Sequence, residues 1–210
     1  MLDPRTPVNI TSPSLSLSRS ALRQDLRKRR RALNPQQQAQ AARNVLSYLL
    51  KIPQLMRAQH IALYMANDGE VDPRVIAEQL WKMKKQLYLP VLRPKGRELW
   101  FVRYNPKTAL APNRFGIPEP DHRRELKIIP NLLDVVLMPL VGFDRCGGRL
   151  GMGGGYYDAT FAFKHKQPKG RPYLVGLAHS CQEVEPQTMA EWDIPLFAIA
   201  SDSGVIEVTA

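Results

Sequence analysis

The fold of this chain is decided by residues 138–163, which read MPLVGFDRCGGRLGMGGGYYDATFAF. Seven of the thirteen glycines of the chain lie within this stretch, between Gly142 and Gly155. An apolar run at residues 135–140 precedes the glycines, and the sequence predicts a helix that opens near residues 156–158. A strand, a glycine-rich loop and a helix in this order direct backbone N–H groups toward a phosphate. The stretch therefore predicts a loop that holds a nucleotide phosphate.

This loop matches neither of the two common phosphate-binding signatures. No Gly-Lys-Ser/Thr closes it, as a Walker A sequence requires, and its glycine spacing differs from the GxGxxG dinucleotide pattern. A plain flexible turn is therefore an alternative interpretation. The neighbouring side chains favour phosphate, because Arg149 supplies a fixed positive charge and Asp158 can hold Mg²⁺. The glycines that admit close backbone approach, and the rings that can pack on a base, are Gly151, Gly153, Gly154, Gly155, Tyr156 and Tyr157.

The composition is that of one globular domain. The chain has 210 residues, 44% of them hydrophobic and 23% charged, and we expect a disordered leader at residues 1–18 followed by a single domain at residues 19–210. It contains neither an apolar run of about 18 residues, as a membrane span needs, nor a signal peptide. We therefore expect a cytoplasmic monomer with no membrane partner. Two cysteines and four dispersed histidines predict free thiols and no structural zinc.

The positive charge is concentrated near the N-terminus. The net charge is +11, of which residues 1–51, with ten Lys or Arg and two Asp, carry +8. Residues 19–33 have a helical pattern in which Arg19, Arg23 and Arg27 share one face. This face could be solvated, could bind nucleic acid, or could clamp a phosphate against the glycine loop. No aromatic residues are interleaved to stack bases, which makes nucleic acid the less favoured partner.

Alternating strand and helix signals predict a parallel sheet. Asn34, Pro35 and Gln37 form a capping signal for a helix over residues 35–50. A strand at residues 60–65, a helix capped by Asp72-Pro73 and ending near residue 85, and a strand at residues 86–91 form a strand–helix–strand unit. Further strands are predicted at residues 99–104, 135–139, 172–178, 194–200 and 205–208.

Two connections in this pattern are candidate parts of a site. Glu70 follows the first strand of the unit, and ligands bind at the carboxyl ends of parallel strands, although an exposed turn carboxylate is the alternative. Residues 113–121, NRFGIPEPD, predict a rigid loop that either shapes a pocket or simply packs as a connection.

The sequence RLGMGGGYYD at residues 149–158, preceded by Gly142-Phe143-Asp144, closely resembles the signature of 5-formyltetrahydrofolate cyclo-ligases, also called 5,10-methenyltetrahydrofolate synthetases. The resemblance extends from about Arg19 over most of the chain and includes the basic helix, the strand before Glu70, FGIPEP at residues 115–120 and MAEWDIPL at residues 189–196. It implies a three-layer α/β/α fold with a Rossmann-like, mostly parallel sheet. It also implies ATP- and Mg²⁺-dependent closure of 5-formyltetrahydrofolate, with or without a polyglutamate tail, to 5,10-methenyltetrahydrofolate, with release of ADP and phosphate.

The resemblance also assigns site residues. The positions that match the family's ATP contacts are Arg19, Arg23, Arg149, Leu150, Gly151, Met152, Gly153, Gly154, Gly155, Tyr156 and Tyr157, with Arg27 a weaker candidate. The folate positions are Met65, Glu70, Met152, Gly153, Gly154, Gly155 and Tyr156, and the magnesium positions are Asp158 and Asp193.

The chain departs from the family pattern within the glycine loop. Many members carry a basic residue at the positions of Met152 and Gly154, and this chain has none there. Our hypothesis is that the arginine-rich N-terminal helix compensates. The alternative functions are RNA binding by that helix, and a relative of sugar-phosphate isomerases or acyl-CoA transferases, which can share the sheet. An isomerase that uses no ATP has no role for the glycine loop together with Asp193.

Overall fold

The structure is a computed structural model that describes residues 18–186 and 193–208. The helices in these ranges are α1 Arg19–Arg31, α2 Pro35–Leu49, α3 Pro53–Arg57, α4 Arg74–Lys82 and α5 Tyr156–Thr160. The strands are β1 His60–Ala62, β2 Gln86–Leu92, β3 Leu99–Tyr104, β4 Leu110–Pro112, β5 Pro118–Pro120, β6 Lys127–Ile128, β7 Val135–Pro139, β8 Gly142–Phe143, β9 Arg149–Leu150, β10 Tyr173–Ala178, β11 Ala198–Ser201 and β12 Gly204–Glu207. No helix in these ranges is both long and apolar enough to cross a bilayer.

Eight strands form one central sheet in the order β12-β11-β10-β7-β1-β2-β3-β6. The five strands from β11 to β2 run parallel, whereas β12, β3 and β6 pair antiparallel at the two edges. The predicted strand–helix–strand unit is β1–α4–β2, with Ile61 opposite Leu87, and β1 pairs on its other side with β7 through Ile61 and Val135. The winding of the chain therefore reverses between β1 and β7, the point where open α/β sheets form a crevice.

The two faces of the sheet carry separate hydrophobic layers. Ile61, Val135 and Leu137 face a core that contains buried residues of α2, α3 and α4. Their chain neighbours Ala62, Val136 and Met138 face a second core that is closed by Phe143, Phe161 and Ile194. Side chains alternate between the faces because successive residues of a strand point to opposite sides. The predicted three-layer, mostly parallel α/β fold is confirmed.

Helix α1 packs across the ends of the strands rather than on a sheet face. Ser18, which we had predicted to belong to the leader, caps α1 by accepting a hydrogen bond from the Ala21 N–H at 3.2 Å. The helix ends at Arg31, two residues before the predicted end, because Asn34 already caps α2 in a capping box with Gln37. The rest of the predicted leader lies outside the described residues.

Arg30 joins α1 to the strand ends from a fully buried position. Its Nε donates to the Asp68 carbonyl at 2.8 Å, its Nη1 donates to the Leu140 carbonyl at 3.0 Å, and its Nη2 donates to Asp68 Oδ2 at 2.8 Å. The segments after β1 and β7 are thus fastened to α1 by one side chain. A buried arginine needs such partners, since an unpaired buried charge is strongly destabilising.

Several predicted elements differ from the structure. Residues 113–121 are not only a loop, because β5 pairs with β4 in a short hairpin. Strand β1 ends at Ala62, although the Leu63 N–H still donates to the Tyr88 carbonyl at 3.0 Å. Helix α4 begins at Arg74 without a side-chain cap, and Asp72 instead accepts from the Arg74 N–H at 3.0 Å.

The strand predicted at residues 194–200 is shorter and begins later. Strand β11 starts at Ala198, and the preceding residues run irregularly with Ile194 and Leu196 buried in the second core. Pro195 cannot donate to a sheet ladder, which explains why hydrophobicity alone predicted the start of the strand wrongly.

We predict that replacing Arg30 by methionine destabilises the protein severely. The substitution Arg30→Met keeps the apolar stem but removes the side-chain donor of the Asp68 carbonyl and one of the two donors of the Leu140 carbonyl, so the free energy of unfolding should fall by about 3 kcal/mol or more. Urea denaturation followed by circular dichroism measures this change. The control is Arg29→Met, whose arginine is half exposed and pairs with Asp25, and whose loss should change stability by less than about 0.5 kcal/mol. Equal losses in the two variants would contradict the structural role of Arg30.

Candidate functional site

A cavity of about 1240 Å³ opens at the carboxyl ends of β1, β2 and β7. Four segments form its wall: helix α1, the turn after β1, the β4–β5 hairpin and the glycine loop before α5. The cavity lies at the reversal of winding between β1 and β7, where a ligand site is expected in this class of sheet.

The glycine loop needs glycine for two different reasons. Gly153 and Gly155 have φ angles of +90° and +66°, which other residues rarely adopt. Gly154 has no room for a side chain, because a Cβ there would lie 2.8 Å from ring carbons of Tyr156. The loop therefore brings bare backbone to the cavity, as predicted. The helix that follows has only five residues, so the surrounding arginines are the larger attraction for an anion.

Arginines border this loop on two sides. Arg23 donates from Nε to the Gly151 carbonyl at 2.8 Å, and its guanidinium lies 3.8 Å from the point where a Cβ at Gly153 would be. Across the loop, Nη1 of Arg97 lies 3.6 Å from the corresponding point at Gly155. Positive charge from outside the loop thus lies beside Gly153 and Gly155, the neighbours of Met152 and Gly154, where this chain lacks basic side chains.

Arg149 is a buried cation in the cavity wall. It is only 9% exposed, and its buried Nη1 has no hydrogen-bond partner within the described part of the chain. Burial lowers the pKa of Arg149, while the nearby carboxylates of Asp158 and Asp193 oppose that shift. Since a guanidinium remains protonated in proteins, Arg149 presents a donor that an anionic ligand could satisfy.

Two carboxylates, those of Asp158 and Asp193, lie near Arg149 in the cavity wall. Asp158 forms an ion pair with Arg149, and Asp193 lies 3.4 Å from Nη2 of Arg19. Mg²⁺ is commonly held by one or two carboxylates together with substrate phosphates. No group of three or more His, Cys, Asp or Glu side chains in residues 18–186 and 193–208 is arranged to hold a metal alone. This donor set therefore fits a metal ion that arrives with an anionic ligand.

The turn after β1 is held by an arginine cluster. Asp68 has a φ of +55°, and its carboxylate accepts from Arg27, Arg30 and Arg31 of α1. Burial alone would raise the pKa of Asp68, but the hydrogen bonds from these three arginines outweigh it and lower the pKa to about 2. Asp68 is therefore ionised at every pH at which the protein would be studied.

Glu70 lines the cavity at the turn after β1. Its carboxylate accepts from the Asn67 N–H at 3.1 Å and lies 3.7 Å from Nη2 of Arg30. Burial raises the pKa of Glu70 to about 7, although Arg30 acts in the opposite direction. Burial and the proximity of Glu70 also raise the pKa values of Tyr64 and Tyr157. This end of the cavity is thus shielded from water and suited to a ligand with N–H donors.

The β4–β5 hairpin lines the cavity on a third side, which is the first of the two alternatives for residues 113–121. Phe115 at its tip is 54% exposed, and its ring lies edge-on to Tyr156 with centroids 6.3 Å apart. Arg114 donates to the Tyr156 hydroxyl at 2.8 Å. Glu119 accepts from the Leu92 N–H at 3.1 Å and from Asn113, which fixes the hairpin against β2.

The structure brings nearly all of the predicted site residues to this cavity. Those that line it are Arg19, Arg23, Met65, Glu70, Arg149, Gly151, Met152, Gly153, Gly154, Gly155, Tyr156, Tyr157, Asp158 and Asp193. Leu150 does not line it, because its side chain packs with Leu26 and Val141 beneath the loop. Arg27 also lies outside the lining, since it is bound to Asp68. Our sequence reasoning missed Arg97 and Tyr64, which line the wall but carry no local sequence signal.

Three arginines of the basic helix are bound within the protein rather than presented to a nucleic acid. Arg23, Arg27 and Arg30 of α1 are bound to the Gly151 carbonyl and to the Asp68 turn. The positions of these arginines favour the clamp over the nucleic-acid interpretation.

The comparisons with known proteins agree with one another. A sequence model of the 5-formyltetrahydrofolate cyclo-ligase family matches residues 16–202. The chain is 43% identical over 185 residues to the 5-formyltetrahydrofolate cyclo-ligase of Escherichia coli (strain K12), covering 87% of this chain and 99% of that protein. It is 40% identical over 183 residues to the Haemophilus influenzae protein of the same name, covering 86% and 96%.

A solved structure supports the same grouping at the level of the fold. The NMR structure of 5,10-methenyltetrahydrofolate synthetase from Aquifex aeolicus superimposes with a TM-score of 0.77 at 29% identity, covering 92% of this chain and 94% of that one. The family model and the two relatives cover most of this chain, and the chain belongs to the 5-formyltetrahydrofolate cyclo-ligase family.

Proposed function

We propose that this protein closes the ring of 5-formyltetrahydrofolate to 5,10-methenyltetrahydrofolate at the expense of ATP, which it binds together with Mg²⁺. Membership of the family supports the overall activity. The observation that carries the proposal for this chain is that one cavity holds both a cation-rich glycine loop and a shielded carboxylate. A phosphate donor and a folate could therefore meet within one enclosed space.

The nucleotide occupies the end formed by the glycine loop. Its phosphates receive N–H groups from the bare backbone at Gly151 and Gly153, and positive charge from Arg23 and Arg149. Asp158 and Asp193 would supply carboxylate oxygens to the Mg²⁺ that accompanies the nucleotide. The buried Nη1 of Arg149 has no hydrogen-bond partner among the described residues, and a phosphate oxygen would supply one.

The folate occupies the end that contains Glu70. The pterin ring carries amide-like N–H donors, and an ionised Glu70 accepts hydrogen bonds from them. Met65 and the glycine loop between Met152 and Tyr156 form apolar and flat surfaces beside the ring. The glycine loop is then a wall shared by the two substrates.

The reaction needs positioning more than a protein nucleophile. The formyl oxygen attacks the γ-phosphorus and ADP leaves, which converts a poor leaving group into a phosphate ester. N10 of the folate then attacks the activated carbon, the C–O bond breaks with loss of phosphate, and N10 gives up its proton. The arginines neutralise charge on the transferring group, and the cavity aligns the formyl oxygen with it.

Direct observation of the product tests the proposed activity. Purified protein incubated with 5-formyltetrahydrofolate and Mg-ATP should produce the near-ultraviolet absorbance of the methenyl product, with one ADP formed per ring closed. Mixtures without ATP, or with excess chelator, are the controls. Absence of an ATP-dependent signal would refute the proposal.

We predict that reversing the charge of Arg23 weakens ATP binding selectively. In Arg23→Glu the loop loses a cation that contacts the Gly151 carbonyl and gains a repulsive carboxylate, so the apparent KM for ATP should rise by about 10- to 100-fold. The KM for the folate should change much less. Arg29→Glu, on the same helix but paired with Asp25 away from the cavity, is the matched control. A KM for ATP that is unchanged, or raised equally in both variants, would argue against the arginine clamp.

The titration of Glu70 predicts a specific pH dependence for folate binding. With a pKa of about 7, Glu70 loses its charge as the pH falls through neutrality, so the KM for the folate should rise about fivefold from pH 7 to pH 6.

In Glu70→Gln the KM should be raised by about 10- to 100-fold at pH 8, because a charged hydrogen-bond acceptor is lost, and it should no longer vary with pH in this range. Glu78→Gln removes an exposed carboxylate of α4 and should leave the wild-type profile unchanged. Persistence of the acid-side rise in Glu70→Gln would show that another group is responsible.

A further inference from the structure

One guanidinium lies between two carboxylates at the folate end of the cavity. Nη2 of Arg30 is 2.8 Å from Asp68 Oδ2 and 3.7 Å from Glu70 Oε1. Arg30 is fully buried, and the side chains of both acids are largely buried, being 14% exposed for Asp68 and 11% for Glu70. The two carboxylates therefore compete for the same cation in a poorly solvated place, where charge interactions are strong.

Arg30 binds Asp68 more closely than it binds Glu70. Arg30 binds the Asp68 turn twice, through the main-chain carbonyl and through the carboxylate, and a third bond to the Leu140 carbonyl fixes the plane of the guanidinium. Arg27 and Arg31 hold the Asp68 carboxylate from either side. Glu70 is left just beyond hydrogen-bond distance of Arg30.

The contacts of Gly69, which lies between Asp68 and Glu70, fix the path of the chain to Glu70. The Gly69 carbonyl, between the two acids, accepts from Gln38 at 3.3 Å and faces His179 Nε2 at 3.2 Å. Gly69 has a φ of +76°, and a Cβ at this position would lie 3.3 Å from the Arg30 carbonyl, so the turn packs directly on α1. Glu70 is thus oriented by contacts made one and two residues earlier.

We propose that Asp68 is a positioning residue for the substrate-binding carboxylate: by engaging Arg30 it keeps the Arg30–Glu70 pair at 3.7 Å, beyond hydrogen-bond distance, and so leaves Glu70 available to the N–H donors of the ligand. This inference rests on the proposed function in taking Glu70 as a folate contact. Without the Asp68 charge, Glu70 would be the nearest carboxylate to Nη2 of Arg30 and would move into hydrogen-bond distance of it. The Glu70 carboxylate would then be hydrogen-bonded to Arg30 instead of to the substrate.

The groups that face Glu70 fix the sign of the expected effect. From α1 they are Arg30 and Arg27, which lower its pKa, and from its own turn they are Asp68, which raises it, and the Asn67 N–H, which lowers it. Tyr64, after β1, and Tyr157, in α5, also face it and are neutral. Removing the Asp68 charge both deletes a repulsion and frees Arg30, so both changes lower the pKa of Glu70.

The test is the titration of Glu70 in the ligand-free protein by carboxyl ¹³C NMR, with its resonance assigned from the spectrum of Glu70→Gln. In Asp68→Asn the pKa of Glu70 should fall by about one pH unit. Asparagine is suited to this exchange because it tolerates the left-handed φ of position 68. Asp72→Asn is the matched control, since Asp72 pairs instead with Arg74, and it should leave the Glu70 titration unchanged.

If Asp68→Asn folds poorly, the titration of Glu70 can be measured in a second variant, Arg27→Gln. Arg27→Gln removes a half-exposed cation that faces both acids, so the pKa of Glu70 should rise, opposite in sign to the effect of Asp68→Asn. Glu70 titrating as in the wild type in the folded variants would overturn the proposal.

Kinetics give a readout that a purely structural role of Asp68 would not change. In Asp68→Asn the acid-side rise of the folate KM should move to lower pH by the same amount as the NMR titration, while the KM at pH 8 increases because Glu70 is paired internally. The NMR result needs no substrate, so it decides the role of Asp68 even if the ring-closure assay fails. Conversely, normal activity with an unmoved Glu70 titration would refute only the inference about Asp68.

Discussion

The arrangement of this protein depends on the burial of one guanidinium, that of Arg30. It is fully enclosed and binds the turn after β1 and the carbonyl of Leu140 after β7. The segments that follow β1 and β7 leave the sheet in different directions, because the winding reverses between these two strands. The hydrogen bonds of the sheet therefore do not fix the distance between the two segments. Gln182 reinforces the same place by donating to the carbonyls of Leu140 and Val141 at 2.6 and 2.9 Å. Helix α1 thereby sets the separation of the two walls between which the substrates would meet.

The same helix gives the cavity its two different ends. Its first turns bring Arg19 and Arg23 toward the glycine loop, where Arg149 already lies buried with a donor to spare. Its last turns bring Arg27, Arg30 and Arg31 to Asp68, whose carboxylate accepts hydrogen bonds from all three. The arginines near the glycine loop are therefore available to an anionic ligand such as a polyphosphate. Those at the Asp68 turn are bound to the protein, so the region around Glu70 suits a neutral ring with N–H donors.

Much of the fold could be predicted from the sequence because its signals are local. The capping box at Asn34 and Gln37, the β1–α4–β2 unit and the strand before the glycine loop all depend on near neighbours, and all are present. The elements predicted wrongly depend on distant contacts. The strand starting at Ala198 was extended back to Ile194 because a buried irregular segment is as hydrophobic as a strand, and β5 was missed because its partner β4 is equally short and rich in proline.

The candidate site shows the same division. The glycine loop, Glu70, Asp158 and Asp193 were identified from motifs, whereas Arg97 reaches the loop from the connection after β2 without any motif. The arginines of α1 looked alike in the sequence, yet only the folded chain separates Arg23, at the loop, from Arg30, buried at the turn. Leu150, a position inside the same motif, packs beneath the loop and does not line the cavity.

We propose that this cavity brings the γ-phosphoryl group of ATP into contact with the formyl oxygen of the folate. Substrate labelled with ¹⁸O in the formyl group tests it directly, with the released phosphate analysed by ³¹P NMR. If the formyl oxygen attacks phosphorus and then leaves with it, each phosphate formed should carry one ¹⁸O and show the corresponding isotope shift. Unlabelled phosphate, with the ¹⁸O recovered in water, would contradict the account.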